Sequence, residues 1–123
     1  MEKVVSPDKK IVKYLVLVPL RMNDGTEVDP DVILDFQDQL FLNFGGFTNG
    51  GTVEGQYKMS DGKKAVDHTT QYWIGIEESQ HQLLRSLVSD LGEKLGQESM
   101  YLENTGATID FVEPASAVTG DKS

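Results

Sequence analysis

Residues 11–20 read IVKYLVLVPL, and this run constrains the chain more than any other. In an extended strand, alternation puts Tyr14, Val16, Val18 and Leu20 on one face and Leu15 and Leu17 on the other. A strand apolar on both sides belongs in the middle of a sheet whose second surface is also covered. The apolar stretch from Tyr14 to Leu20 falls far short of the roughly 20 residues that a membrane-crossing helix needs. It is not read as a secretory leader either, because it contains Pro19, runs into Arg21 and offers no small-residue cleavage site.

Around that strand, local signals divide the rest of the body. Asn23-Asp24-Gly25 marks a turn, and Asp29-Pro30 looks like an N-cap followed by proline at the first helical position. Ile33, Phe36, Leu40 and Phe44, with Gln37 and Phe41 beside them, then form a helical apolar stripe opposite Asp31, Asp35 and Asp38, ending at Gly45-Gly46. Val53, Tyr57 and Met59 space a strand over 52–59. Ser60-Asp61-Gly62-Lys63 is a hairpin signal, and the chain returns through Ala65 and Val66 to Gln71–Ile76. There Tyr72, Ile74 and Ile76 share one face, and Trp73 and Gly75 the other.

A second helix is expected from Ser79, with Gln82 completing a capping box. Leu84, Leu87, Val88, Leu91 and Leu95 make its buried stripe, and Gly96 sits where a C-terminal cap belongs. The last strand begins at Met100-Tyr101-Leu102, with a turn at Asn104-Thr105-Gly106 and an extension over 109–112. Strand, helix, strand, strand, helix, strand is the split pattern of an α+β, ferredoxin-like βαββαβ sandwich, an antiparallel sheet with two helices on one face. Its 123 residues make one domain, expected at 11–113, with polar tails at 1–10 and 114–123.

Charge and residue types narrow the function classes. Net charge is −9, and no Lys or Arg occurs between Met22 and Tyr57, where Asp24, Glu27, Asp29, Asp31, Asp35, Asp38 and Glu54 accumulate. Binding DNA or RNA requires basic side chains opposite phosphates, so direct nucleic-acid binding is not expected. An acidic face of Asp24, Glu27, Asp31, Asp35 and Asp38 that imitates nucleic acid and blocks a nucleic-acid-binding protein is one alternative. A solubilising surface is the plainer one. The absence of cysteine excludes disulfides, thiolate chemistry and Cys-type zinc sites, and fits the expected cytoplasmic location with no membrane association.

The glycine-rich stretch FGGFTNGG, 44–51, invites comparison with a phosphate-cradling loop, but its direction is wrong. Such loops lead from a strand into a helix N-terminus, whereas Gly45 and Gly46 leave a helix by its negative end. The glycines turn a corner. Asp67, His68, Glu78 and His81 could be drawn together around a metal, but such acid–histidine pairs arise by chance in any acidic protein, and neither metal nor cofactor is expected. No serine lies in a nucleophile-elbow context. Arg21, Glu54 and Glu98 are candidates for acid–base work at a sheet end, with mutual charge offset as the structural alternative. Tyr57, Tyr72, Trp73 and Tyr101 could stack a planar ligand. Burial against a second copy accounts for the same aromatics, so Leu15, Leu17, Trp73 and Tyr101 are expected to form a homodimer face.

From Leu17 to Glu103 the chain also resembles a loosely defined set of uncharacterised small bacterial proteins. VPLRMNDG, FGGFT, VEGQYKMSDGK and LGQESMYLE carry the likeness. It is similar too to a domain family of unknown function that shares Gly-Gln-Trp/Tyr, three residues, then Asp-Gly in the hairpin, and the late Gln-Glu-Ser. The resemblance implies a shared polar site at Arg21, Gln56, Tyr57, Gln97 and Glu98, or hydrogen bonding between adjacent strands. Three readings stand: a non-enzymatic dimeric module that binds a small ligand or a protein partner, the acidic inhibitor, and a small lyase- or isomerase-type enzyme.

Overall fold

The computed structural model describes residues 9–115, so most of each expected tail lies outside the described residues. Element order is β1 (Ile11–Pro19), α1 (Pro30–Phe44), β2 (Thr48–Lys58), β3 (Lys64–Glu77), a 3₁₀ turn (Glu78–Gln80), α2 (His81–Lys94) and β4 (Tyr101–Ile109). The four strands form one sheet in the order β2-β3-β1-β4, every neighbouring pair antiparallel. The α+β sandwich expected from the sequence is therefore the observed one.

The two-faced strand takes the position its composition demands. β1 is hydrogen-bonded to β3 on one side and to β4 on the other. Val12, Tyr14, Val16 and Val18 join Tyr72, Ile74 and Ile76 beneath Phe36, Leu40 and Phe44 of α1 and Leu84, Val88, Leu91 and Leu95 of α2. Burying such side chains stabilises by about 1.5–3 kcal/mol apiece, and this single layer between sheet and helices is the core. The opposite, open face carries Leu15 and Leu17 of β1 with Trp73 and Gln71 of β3, by their register.

Both helices end as expected and one begins differently. Asp29 accepts a hydrogen bond from the Asp31 amide with Pro30 following, and Gly45, at φ 87°, closes α1 in the left-handed conformation. At the end of α2, Gly96 (φ 64°) lets its own amide donate to Glu93 O and the Gln97 amide donate to Gly92 O. The capping box expected at Ser79 and Gln82 lies two residues earlier. Glu77 and Gln80 form it, the Glu77 amide donating to Gln80 Oε1 at 3.0 Å, because β3 stays extended to Glu77.

Three further expectations need correction. β2 starts at Thr48 rather than Thr52, with Gly50 and Gly51 absorbed as a bulge where the pairing jumps from Asn49 to Thr52. The glycine corner thus shrinks to Gly45–Gly46. β4 is continuous through the supposed turn. Three residues, Thr105 to Ala107, oppose Lys13 alone, and Thr105 Oγ1 donates to Lys13 O at 2.8 Å, so turn-type residues make a bulge inside the ladder. Phe41 does not join the buried stripe of α1: it is 48% exposed, and Leu34 on the same flank is 55% exposed.

Candidate functional site

The long hairpin that β2 and β3 form is closed by the residues that signalled it. Met59 N donates to Lys63 O at 2.7 Å, Gly62 N to Met59 O at 2.9 Å and Lys63 N to Asp61 Oδ1 at 2.9 Å. On the open face, near the hairpin tip, a cleft of about 300 Å³ opens between hairpin and sheet centre. Leu17 and Pro19 form its floor, with Asp67 and Thr69 of β3, Tyr57 of β2, and the loop from Gln97 to Tyr101 around them. Alternation on β3 places Asp67 and Thr69 on this face, because Tyr72 is on the other.

Two hydrogen bonds join the parts of the rim. Ser60 Oγ at the hairpin tip donates to Glu98 Oε2 at 3.2 Å. Asn23 Nδ2, in the β1–α1 loop, donates to Gly96 O at 2.9 Å and so fixes the turn that presents Gln97 to Met100. Tyr101 stands on the β4 side, its hydroxyl donating to Glu103 Oε1 at 2.9 Å. That bond and the charge of Glu103 hold the Tyr101 phenol above its ordinary value, with a lesser contribution from Tyr57. The site thus sets two tyrosines, two carboxylates (Asp67 and Glu98), one lysine (Lys58) and two methionines (Met59 and Met100) around an apolar floor.

The residues singled out in the sequence divide around this cleft. Tyr57, Gln97, Glu98 and Tyr101 line it. Arg21 does not. It lies in an adjoining groove with Met22, Val66 and His68, its backbone bridged to Glu27 and its Nη1 donating to Gly25 O at 3.5 Å. Glu54 and Gln56 alternate with Tyr57 along β2 and so project from the other side of the sheet, where Glu54 lies 3.4 Å from His68. The proposed acid–base set of Arg21, Glu54 and Glu98 therefore does not converge.

Asp67 and His68 are separated from Glu78 by about 33 Å of extended strand. His81 is hydrogen-bonded to the Tyr14 hydroxyl at 3.0 Å, and among the described residues no three His, Asp or Glu side chains gather to hold a metal. Of the aromatics, Tyr72 is in the core, with Gln37 Nε2 donating to its hydroxyl at 3.0 Å. Trp73 lies under Lys13, whose Nζ is 4.3 Å from the ring centroid. Leu15, flanked by Trp73 and Glu103, is already 8% exposed within the single chain.

Of the acidic residues expected to make one surface, Asp24 and Asp35 have local side-chain partners. Asp24 accepts from the Thr26 hydroxyl and amide, which draws its carboxyl below the usual value. Glu27 pairs with Arg21 through the backbone only, and the Asp35 carboxylate lies 3.8 Å from Lys94. Asp67 was weighed only as a metal ligand, and Thr69, Ser99 and Met100 were not singled out from the sequence. For Asp67 and Thr69 the signal was the alternation Asp67, Thr69, Gln71, a polar file opposite the buried one.

No protein-family profile and no curated protein matches the sequence. Among solved structures, the fold is similar to a phage SAM lyase in complex with S-methyl-5'-thioadenosine, with a TM-score of 0.61 and 16% identity. The likeness covers 89% of this chain and 91% of that one. No helix among the described residues is long and apolar enough to cross a membrane.

Proposed function

We propose that this chain is a small enzyme of lyase type that takes an S-adenosyl sulfonium compound in the open-face cleft. The observation that carries the reading is the cleft itself: Tyr57, Tyr101, Asp67 and Glu98 around the floor of Leu17 and Pro19. Its volume of about 300 Å³ suits a nucleoside-sized ligand. A purine stacks on tyrosine rings without needing basic side chains, and a sulfonium cation is drawn both to aromatic faces and to carboxylates. In an elimination, Asp67 or Glu98 would take a proton from the carbon next to the one that bears sulfur; the C–H electron pair forms a carbon–carbon double bond, the carbon–sulfur pair moves onto sulfur and a neutral thioether leaves. The likeness in fold to a lyase bound to a thioether nucleoside supports this choice among small-ligand chemistries. The open face, expected from the sequence to be covered by a second copy, is in this reading the ligand face.

Titration calorimetry with S-methyl-5'-thioadenosine, alongside chromatography of S-adenosylmethionine incubated with the protein, tests the reading. Binding of the thioether and its appearance from the sulfonium are expected. Tyr57→Ala should weaken binding about tenfold, the loss of one stacking contact. Asp67→Asn with Glu98→Gln should abolish turnover. A folded protein that neither binds the thioether nor consumes the sulfonium overturns the assignment. Binding without turnover would make the chain a non-enzymatic binding module instead.

A further inference from the structure

β2 is one of the two outer strands of the sheet, and along Thr48–Lys58 every residue but Gly55 is exposed. Edge strands are normally guarded by proline, bulges or unmatched charge. Gly50 and Gly51 guard only one end. From Thr52 to Lys58 there is no bulge, no proline and a single lysine.

The direction of the free backbone groups follows from the hairpin. Met59 N–H points inward to Lys63 O. Successive residues of an antiparallel strand point their amides to alternate sides, so Lys58, Gln56, Glu54 and Thr52 offer theirs to the outside. We propose that this edge pairs with the same edge of a second copy, antiparallel, about a two-fold axis at Gln56. Of the symmetric registers open to Thr52–Lys58, this one sets Glu54 opposite Lys58 of the second copy twice over, while keeping outward-pointing residues directly across from each other.

A second observation falls on the same side of the molecule. Asp35 of α1 faces α2 through Lys94, and Gln37 reaches Tyr72 on β3. Leu34 and Phe41 lie beyond Gln37 around the helix, away from α2 and towards β2. Pairing at β2 brings the two α1 helices alongside each other across the axis and covers this apolar flank. Val66, exposed beside Gln56 in the ladder, lies next to the axis as well. The second copy also comes up beside Tyr57, so the two open-face clefts become neighbours. The inference does not depend on what the clefts bind.

The chain contains no cysteine, which makes the test direct. Gln56→Cys places two thiols across the axis, about 5.5 Å apart at Cα and within disulfide reach. Thr52→Cys on the same edge places them roughly 27 Å apart. Under mild oxidation, Gln56→Cys is expected to cross-link into dimers at least about tenfold faster than Thr52→Cys. Sedimentation of the unmodified protein should give twice the chain mass. Glu54→Lys and Lys58→Glu should each weaken association, and the double exchange should restore it. A sedimenting monomer, equal cross-linking of the two cysteine variants, or a double exchange no better than the singles overturns the proposal.

Discussion

Tyr101 shows how one contact sets a residue's chemistry. Its hydroxyl donates to Glu103 Oε1, and the neighbouring negative charge resists formation of a phenolate. A raised pKa means that the bond's contribution to stability is present in full below the ordinary phenol value and is lost as pH rises through the elevated one. Glu103→Gln keeps an acceptor and removes the charge. Ultraviolet titration should show the Tyr101 phenol ionising at lower pH in this variant, and the alkaline loss of stability should be smaller. An unmoved titration would mean that Glu103 does not govern the tyrosine. At Gly50 the constraint is space. A Cβ there would stand 2.7 Å from Trp73 Nε1, so the backbone of β2 can lie against the indole only without a side chain.

At the scale of elements, helix starts and stops were readable because they depend on side chains only a few positions apart. Asp29 caps α1 through the Asp31 amide, and the sequence announces it with the proline that follows. Asp29→Ala should cost about 1 kcal/mol in urea denaturation, with Asn at the same position nearly neutral. A loss for both variants alike would point to the charge rather than the cap. The capping box of the second helix was displaced by two residues, since a strand's reach depends on its ladder and not on its own composition. β3 continues to Glu77 because β1 pairs with it as far as Ile11. The β4 bulge misled for a related reason. Asn104, Thr105 and Gly106 are turn residues by preference, but Thr105 finds Lys13 O across the ladder, and that partner lies 92 positions away in the sequence.

Over the whole molecule, the sheet order was legible once Ile11–Pro19 had to be central, whereas the cleft was legible only in part. Tyr57 and Glu98 were named as an aromatic and as an acid–base candidate, and Gln97 only through a resemblance. Thr69 went unremarked, and Asp67 was considered only for a metal, because a polar residue in a half-exposed strand is ordinary until the neighbouring loop closes over it. Arg21 and Glu54 were grouped with Glu98 because all lie near strand ends, but alternation and the β1–α1 loop send them to other surfaces. The position of β1 also has a consequence for the order of assembly. Its partner β4 leaves the ribosome after the other three strands of the sheet, so this greasy stretch stays half-sheltered until β4 has been made. A chain cut after Met100 should bind a hydrophobic dye and clump on warming, and the missing Tyr101–Ile109 strand supplied as a peptide should suppress both. The strand of this sheet made first is thus the last to find safety, and a product stalled before β4 would be the form of this protein most in need of a chaperone.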